Sequence, residues 1–178
     1  KLTAGTCAAV LIAGAPALAA TPPDTLVAAF AIDDIISLDP GEAFELTTAE
    51  ITSNTYSLLV RLDLADTSKV APDLAESWTV SEDGTTFTFK LKPDVAFASG
   101  NPLTASDVAW SFERAVKLDK SPAFLLTQLG LSGDNVTETA KAADDHTFVL
   151  TVDKPYAPSF VLNVLSSTVG SVVDSVLV

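Results

Sequence analysis

The sequence predicts a mixed α/β (α+β) fold, and three stretches carry that expectation. Residues 86–91 set Phe87, Phe89 and Leu91 against Thr86, Thr88 and Lys90, the period of two of a strand with one buried face. Residues 147–152 repeat the pattern, with Phe148, Leu150 and Val152 against Thr147, Val149 and Thr151. Between them, Thr104-Ala105-Ser106-Asp107 has the spacing of a capping box. Val108, Phe112, Ala115 and Val116 recur behind it at helical intervals.

The remaining elements follow along the chain. Residues 25–32 are almost wholly apolar and read as a strand buried on both faces. Asp33-Asp34 and Ser37-Leu38-Asp39-Pro40-Gly41 form a polar loop, in which Pro40 keeps Asp39 extended. Residues 46–62 read as a helix, with Ile51, Leu58, Leu59 and Leu62 at helical intervals. Thr47 or Thr48 is its expected cap, and Glu50 would complete a capping box with Thr47. Residues 78–80 and 86–91 flank Ser81-Glu82-Asp83-Gly84-Thr85, a hairpin signal. On the capped helix, Asp107 lies at the positive end of the dipole, and Arg114, Lys117 and Lys120 lie towards the negative end. A short helix is expected over 122–129. Residues 136–143 and 147–152 form a second hairpin turned by Asp144-Asp145-His146, and a helix over 158–165 begins at Pro158.

Composition narrows the function classes. The chain has 178 residues with one cysteine, one histidine and no methionine. A disulfide framework or a Cys/His zinc site needs more such residues. A net charge of -13 repels phosphate backbones, so nucleic acid is not an expected partner. With 48% hydrophobic and 19% charged residues, the chain is not composed like a disordered one.

Residues 1–19 read as a secretory signal peptide. Lys1 precedes an uncharged, small-residue stretch, and Ala17-Leu18-Ala19 forms a small-x-small cleavage site. The stretch is shorter than the ~20 residues of a membrane span, and Gly5, Gly14 and Pro16 interrupt it. Cys7 falls within it, so the mature part, 20–178, would carry no cysteine, as suits an oxidising compartment. Lys1 is the sole charge in residues 1–19, so removing it turns -13 into -14. That acidity is spread along the chain and reads as a solubility feature. The signal lacks its initiating methionine and the chain stops in apolar sequence at Val178, which together suggest a fragment.

Catalytic constellations are missing from the sequence. A nucleophile needs a base in reach, and the lone His146 sits beside two aspartates in an expected turn. Asp33-Asp34 and Asp144-Asp145 are adjacent loop residues rather than carboxylates in separate environments. Ser99-Gly100 lacks the frame of a nucleophile elbow, and the eight glycines are scattered. Asn135-Val136-Thr137 is a bare three-residue sequon match. Trp78 and Trp110 read as core residues.

One long stretch carries a specific resemblance. Pro72-Asp73-Leu74-Ala75-Glu76-Ser77-Trp78 runs into Asp83-Gly84, Phe87, Phe89 and Leu91. Phe97, Gly100, Pro102, Thr104, Ala105, Asp107 and Val108 follow. This resembles the signature region of the extracellular solute-binding proteins of family 5, the peptide-binding receptors of ABC importers. Ser37-Leu38-Asp39-Pro40 upstream and Ala142-Ala143-Asp144-Asp145-His146-Thr147 downstream look like further family segments; Ser99 departs where an acidic residue is common.

The resemblance implies a periplasmic-binding-protein-like type II fold, two-lobed with an extra subdomain, of which 20–178 would be an incomplete first lobe. It implies a periplasmic, monomeric receptor that binds peptides, hands them to the permease subunits of an ABC transporter, is no enzyme and needs no cofactor. It also nominates ligand-site segments: Ala43, Phe44, Glu45 and Leu46; Ala123 and Phe124, with Phe124 standing in for a tyrosine that some relatives have at the Ala123 position; and Ser166, Ser167 and Thr168. A nickel chelate, opine or oligosaccharide is the alternative ligand within the fold. A secreted hydrolase subdomain or an adhesion module is the alternative from another class.

Overall fold

The computed structural model describes residues 21–29 and 31–178. The expected signal peptide lies outside them. The chain divides into two units, Lys1–Phe30 and Ala31–Val178. In the first unit, the described residues form a turn in which the Thr25 N–H donates to Pro22 O. The expected strand over 25–32 is not formed: Leu26 is 94% exposed and Ile32 65%. An apolar run becomes a strand only when a neighbour takes up its backbone groups, and none does so here among the described residues.

The second unit is built on a four-stranded antiparallel sheet in the order β3-β4-β6-β5. It comprises β3 (Ala75–Val80), β4 (Thr86–Leu91), β5 (Ala140–Asp144) and β6 (Thr147–Thr151). Both alternating runs are strands as expected. They pair with each other at the centre, where Phe89 lies opposite Phe148 and Phe87 opposite Leu150. Phe87, Phe89, Leu91, Phe148 and Leu150 are buried on one face, while Lys90 is exposed on the other. Gly84 closes the β3–β4 turn at φ +71°, a conformation open to glycine without steric cost. The Asp83 carboxylate accepts the Ser81 hydroxyl and the Thr85 N–H there, and both bonds hold its carboxyl below the usual carboxylate range.

Helix α2 (Ala105–Leu118) covers the buried face. Its capping box forms as expected, with the Asp107 carboxylate accepting the Thr104 N–H and hydroxyl, both at 2.9 Å. Val108, Phe112, Ala115 and Val116 are buried, and the Phe112 ring meets Phe148 edge-on at 5.2 Å. Lys117 pairs with Glu113, and Lys120 lies past the helix end. The signature turn before α2 is a tight hairpin. Ala96 bridges Pro102, the Phe97 N–H donates to Asn101 O, and Gly100 has φ +91°. Leu74 is buried, Glu76 exposed, and Trp78 packs half-buried against the core; Trp110 is half-buried beside Arg114 rather than in the core.

Three element boundaries differ from expectation. Helix α1 ends at Thr55 (Leu46–Thr55), and Leu58–Leu62 instead supplies a bridge and strand β1 (Val60–Leu62), paired with β2 (Val70–Pro72). A periodicity carried by leucines alone does not fix where a helix stops. No capping box forms at Thr47 or Thr48, because the cap position falls on Glu45. Helix α1 buries Thr48 and Thr52, not its leucine, and each hydroxyl is spent on a backbone carbonyl. Finally, residues 136–139 begin as a helical turn, α4 (Val136–Thr139), before β5. The 3₁₀ turn Ser121–Ala123, α3 (Phe124–Thr127) and α5 (Pro158–Leu165) fall where expected.

The end of the chain lies along the start of α2. The Val173 N–H donates to Ser111 Oγ, the Ser175 hydroxyl to Asp107 Oδ1 at 2.6 Å, and Ser99 and Asn101 both donate to Asp174. Asp107 therefore serves the helix cap and the terminal segment together.

Phe148 lies where both central strands and α2 meet. Phe148→Ala is expected to lower the unfolding free energy by about 3–5 kcal/mol, and Thr88→Ala by less than about 1 kcal/mol. Urea unfolding followed by circular dichroism measures both, and equal losses would place the core elsewhere.

Candidate functional site

Three of the sequence-nominated segments converge around α1. The loop Ser37–Glu45 enters it, α3 stands beside that loop, and α5 ends in Ser166-Ser167. The 3₁₀ turn Thr168–Gly170 packs against both α1 and the Ser121–Ala123 turn.

Phe44 and Phe124 meet directly. Their rings lie edge to face with centroids 5.2 Å apart, and they remain 43% and 51% exposed. A half-exposed pair from separate elements offers an apolar platform with polarised ring edges. Their neighbours do something else. Ala43 and Ala123 are buried, at 0% and 1% exposure, so their side chains are packing contacts and face no ligand. Leu46 is fully outside the core, at 88% exposure. The Glu45 carboxylate accepts the Phe44 N–H at 3.2 Å and the Thr48 hydroxyl at 3.4 Å, which fixes the entry to α1.

Ser166, Ser167 and Thr168 line a second part of the site. They border a cavity of about 350 Å³ whose far wall is Ala49, Thr52 and Ser53 of α1. The Ser166 and Ser167 hydroxyls donate to the Asn163 and Val164 carbonyls, so they close the helix end. An adjoining cavity of about 650 Å³ shares Ser53, Leu58, Leu62 and Ser166 and adds Arg61 and Asp73. An apolar groove of about 560 Å³, bordered by Leu38, Ile51, Phe97 and Val172, is also present.

Sequence reasoning missed one pair altogether. The Arg114 guanidinium donates to both oxygens of Asp39, at 2.9 and 2.5 Å, across 75 positions of sequence. Arg114 beside Asp39 holds that carboxyl below the usual carboxylate range, helped by the Gly41 N–H. The only hint was the Asp39-Pro40-Gly41 turn itself. The family motif pointed at the loop, but nothing in it named a partner on α2.

No cluster of three His, Cys, Asp or Glu suited to a metal occurs among the described residues. His146 is exposed in the β5–β6 turn, away from these segments. The arrangement sets two half-exposed rings near a cavity bordered by Ser166, Ser167 and Thr168.

Comparison with known proteins places this geometry. Residues 69–176 match the family described as bacterial extracellular solute-binding proteins, family 5 Middle. The chain belongs to that family. The family binds solutes, and the signature residues at 74–108 are those that build its sheet, hairpin and helix cap. The probable D,D-dipeptide-binding periplasmic protein DdpA of Escherichia coli (strain K12) is 36% identical over 143 residues, covering 79% of this chain and 26% of that protein. The periplasmic oligopeptide-binding protein OppA of the same organism is 32% identical, covering 94% of this chain and 34% of its own length. The crystal structure of an oligopeptide ABC transporter substrate-binding domain from Bacillus anthracis str. Ames superposes with a TM-score of 0.68 at 29% identity, covering 77% of this chain and 27% of that one. The family 5 chain described here thus spans about a quarter to a third of the length of these relatives.

A depressed native carboxyl gives Asp39 a defined pH signature. Its contribution is complete above the unfolded value of about 3.9 and disappears as pH falls below that through the lowered native value. Asp39→Asn should cost about 1 kcal/mol at pH 7, given partial exposure, and less at pH 2. Urea unfolding at the two pH values measures this; a cost that persists undiminished at pH 2 contradicts it.

Proposed function

We propose that this chain is the N-terminal part of the first lobe of a periplasmic receptor that captures peptides and delivers them to the permease of an ABC importer. On this reading, residues 1–19 direct export and are cleaved, and 20–178 remain. The mature receptor is a two-lobed monomer without enzymatic activity or cofactor. Ligand selects the closed arrangement of the lobes by binding it better than the open one.

The observation that carries the reading is the convergence of residues 43–46, 123–124 and 166–168 around α1, with the Phe44–Phe124 pair held half-exposed. A half-exposed aromatic pair retains apolar surface on which a ligand can pack. Family membership and the peptide-binding descriptions of the relatives support the choice of ligand class. In such a site, extended peptide backbone is held by main-chain hydrogen bonds, and side chains occupy hydrated pockets. Much of the contact is then indifferent to peptide sequence.

Native mass spectrometry of the full-length polypeptide from a periplasmic extract should show co-purified peptides. Finding only a metal chelate or a sugar would remove the peptide assignment and keep the receptor class. By calorimetry, residues 20–178 alone should show no measurable peptide binding, because a cleft needs both lobes. Micromolar affinity in that fragment would contradict the shared-cleft reading.

A further inference from the structure

We propose that Arg114 is a positioning residue for the ligand site, setting through Asp39 where the loop presents Phe44 relative to Phe124. This rests on the peptide-site reading above.

The loop over residues 37–45 contains no strand or helix, so no ladder of backbone bonds fixes its place. Pro40, Gly41 and Ala43 are buried and the Thr48 hydroxyl donates to Ser37 O, but among the described residues the loop's one side-chain hydrogen bond beyond α1 is the Arg114–Asp39 pair. Two parallel bonds from a planar guanidinium fix the carboxylate's direction as well as its distance. The side chains are only 20% and 26% exposed, so salt and water screen the pair less than a surface one.

Asp39 passes that position along the loop. Its Oδ1 also accepts the Gly41 N–H at 2.8 Å, and its backbone carbonyl accepts the Glu42 and Ala43 N–H groups, both at 3.0 Å. The turn so formed ends at Phe44. Gly41 lies so close to α2 that a Cβ would stand 2.8 Å from Arg114 Nη1 and 3.3 Å from Leu118 Cδ1. The loop backbone therefore rests directly on the helix.

The other arm runs down α2 itself. The helix ends at Leu118, Asp119 turns the chain in the left-handed region at φ +49°, and the 3₁₀ turn with buried Pro122 and Ala123 delivers Phe124. Arg114 thus stands at the fork of two short paths, one to each ring. The edge-to-face contact between the rings closes the circuit. Lengthening either path would separate the rings without touching the core sheet.

The test uses the full-length receptor, a tripeptide ligand and the variants Arg114→Met, Arg114→Lys and Asp39→Asn, each assayed well below its own melting temperature. Arg114→Met should raise the tripeptide Kd about tenfold, a loss of about 1.4 kcal/mol, with Arg114→Lys intermediate. Phe44→Ala should weaken binding in the wild type and cost nothing further in the Arg114→Met background. Hydrogen exchange should quicken at residues 41–45 and 124–127 and stay unchanged in β4 and β6. If Arg114→Met does not fold, Asp39→Asn carries the same comparison. An unchanged Kd, or a full Phe44→Ala effect in the Arg114→Met background, would overturn the proposal. Should the wild type bind no tripeptide, the peptide reading fails, and exchange alone decides the positioning: quickening at both segments supports it, and quickening confined to 39–43 overturns it.

Discussion

Arg114 and Asp39 join two parts of the chain whose positions have unrelated origins. Helix α2 is fixed by its cap and by Phe112 against Phe148. The loop before α1 forms no ladder; Pro40, Gly41 and Ala43 are buried, and its backbone lies on the helix. Without the ion pair, its backbone entropy of about 1–2 kcal/mol per residue would be offset only by local turn bonds, the Thr48 bond to Ser37 O and the packing of Pro40, Gly41 and Ala43. The pair transfers the rigidity of the helix to the loop. On the proposed reading, a scaffold built for packing then holds the ligand surface, in line with the general placement of binding residues on loops carried by rigid elements.

The scaffold was largely legible in the sequence, and the reason is local. In residues 86–91 and 147–152 the period of two survives because one face is buried against α2 and the other is not. Thr104 and Asp107 identify each other across three residues, so a helix start can be read without knowing the fold. Where burial depended on distant partners, the reading failed. Residues 25–32 have the composition of a buried strand but no described partner. Leu58, Leu59 and Leu62 continue a helical period, yet Leu58 bridges Ser171, Leu62 pairs with Val70 of β2, and Leu59 O accepts the Ala75 N–H. In α1 the buried face is threonine, which hydrophobic patterning does not detect.

The candidate site was legible by resemblance and only in part by chemistry. The resemblance nominated these segments, but it could not separate the half-exposed Phe44 and Phe124 from the buried Ala43 and Ala123 beside them. Spacing says nothing of which neighbour turns outward when a loop has no period. The Arg114–Asp39 pair spans 75 residues, and Arg114 had an adequate local explanation in the helix dipole. Long-range ion pairs are hidden in a single sequence because each partner already makes sense where it stands.

The central claim is that a peptide lies against Phe44, Phe124 and the Ser166–Thr168 wall. Photocrosslinking tests it most directly, using peptides that carry benzoylphenylalanine at successive positions, bound to the full-length receptor and mapped by mass spectrometry. The account predicts adducts within residues 43–46, 121–127 and 163–171. Adducts confined to the groove bordered by Leu38, Phe97 and Val172, or absent from this segment while peptide remains bound, would contradict it.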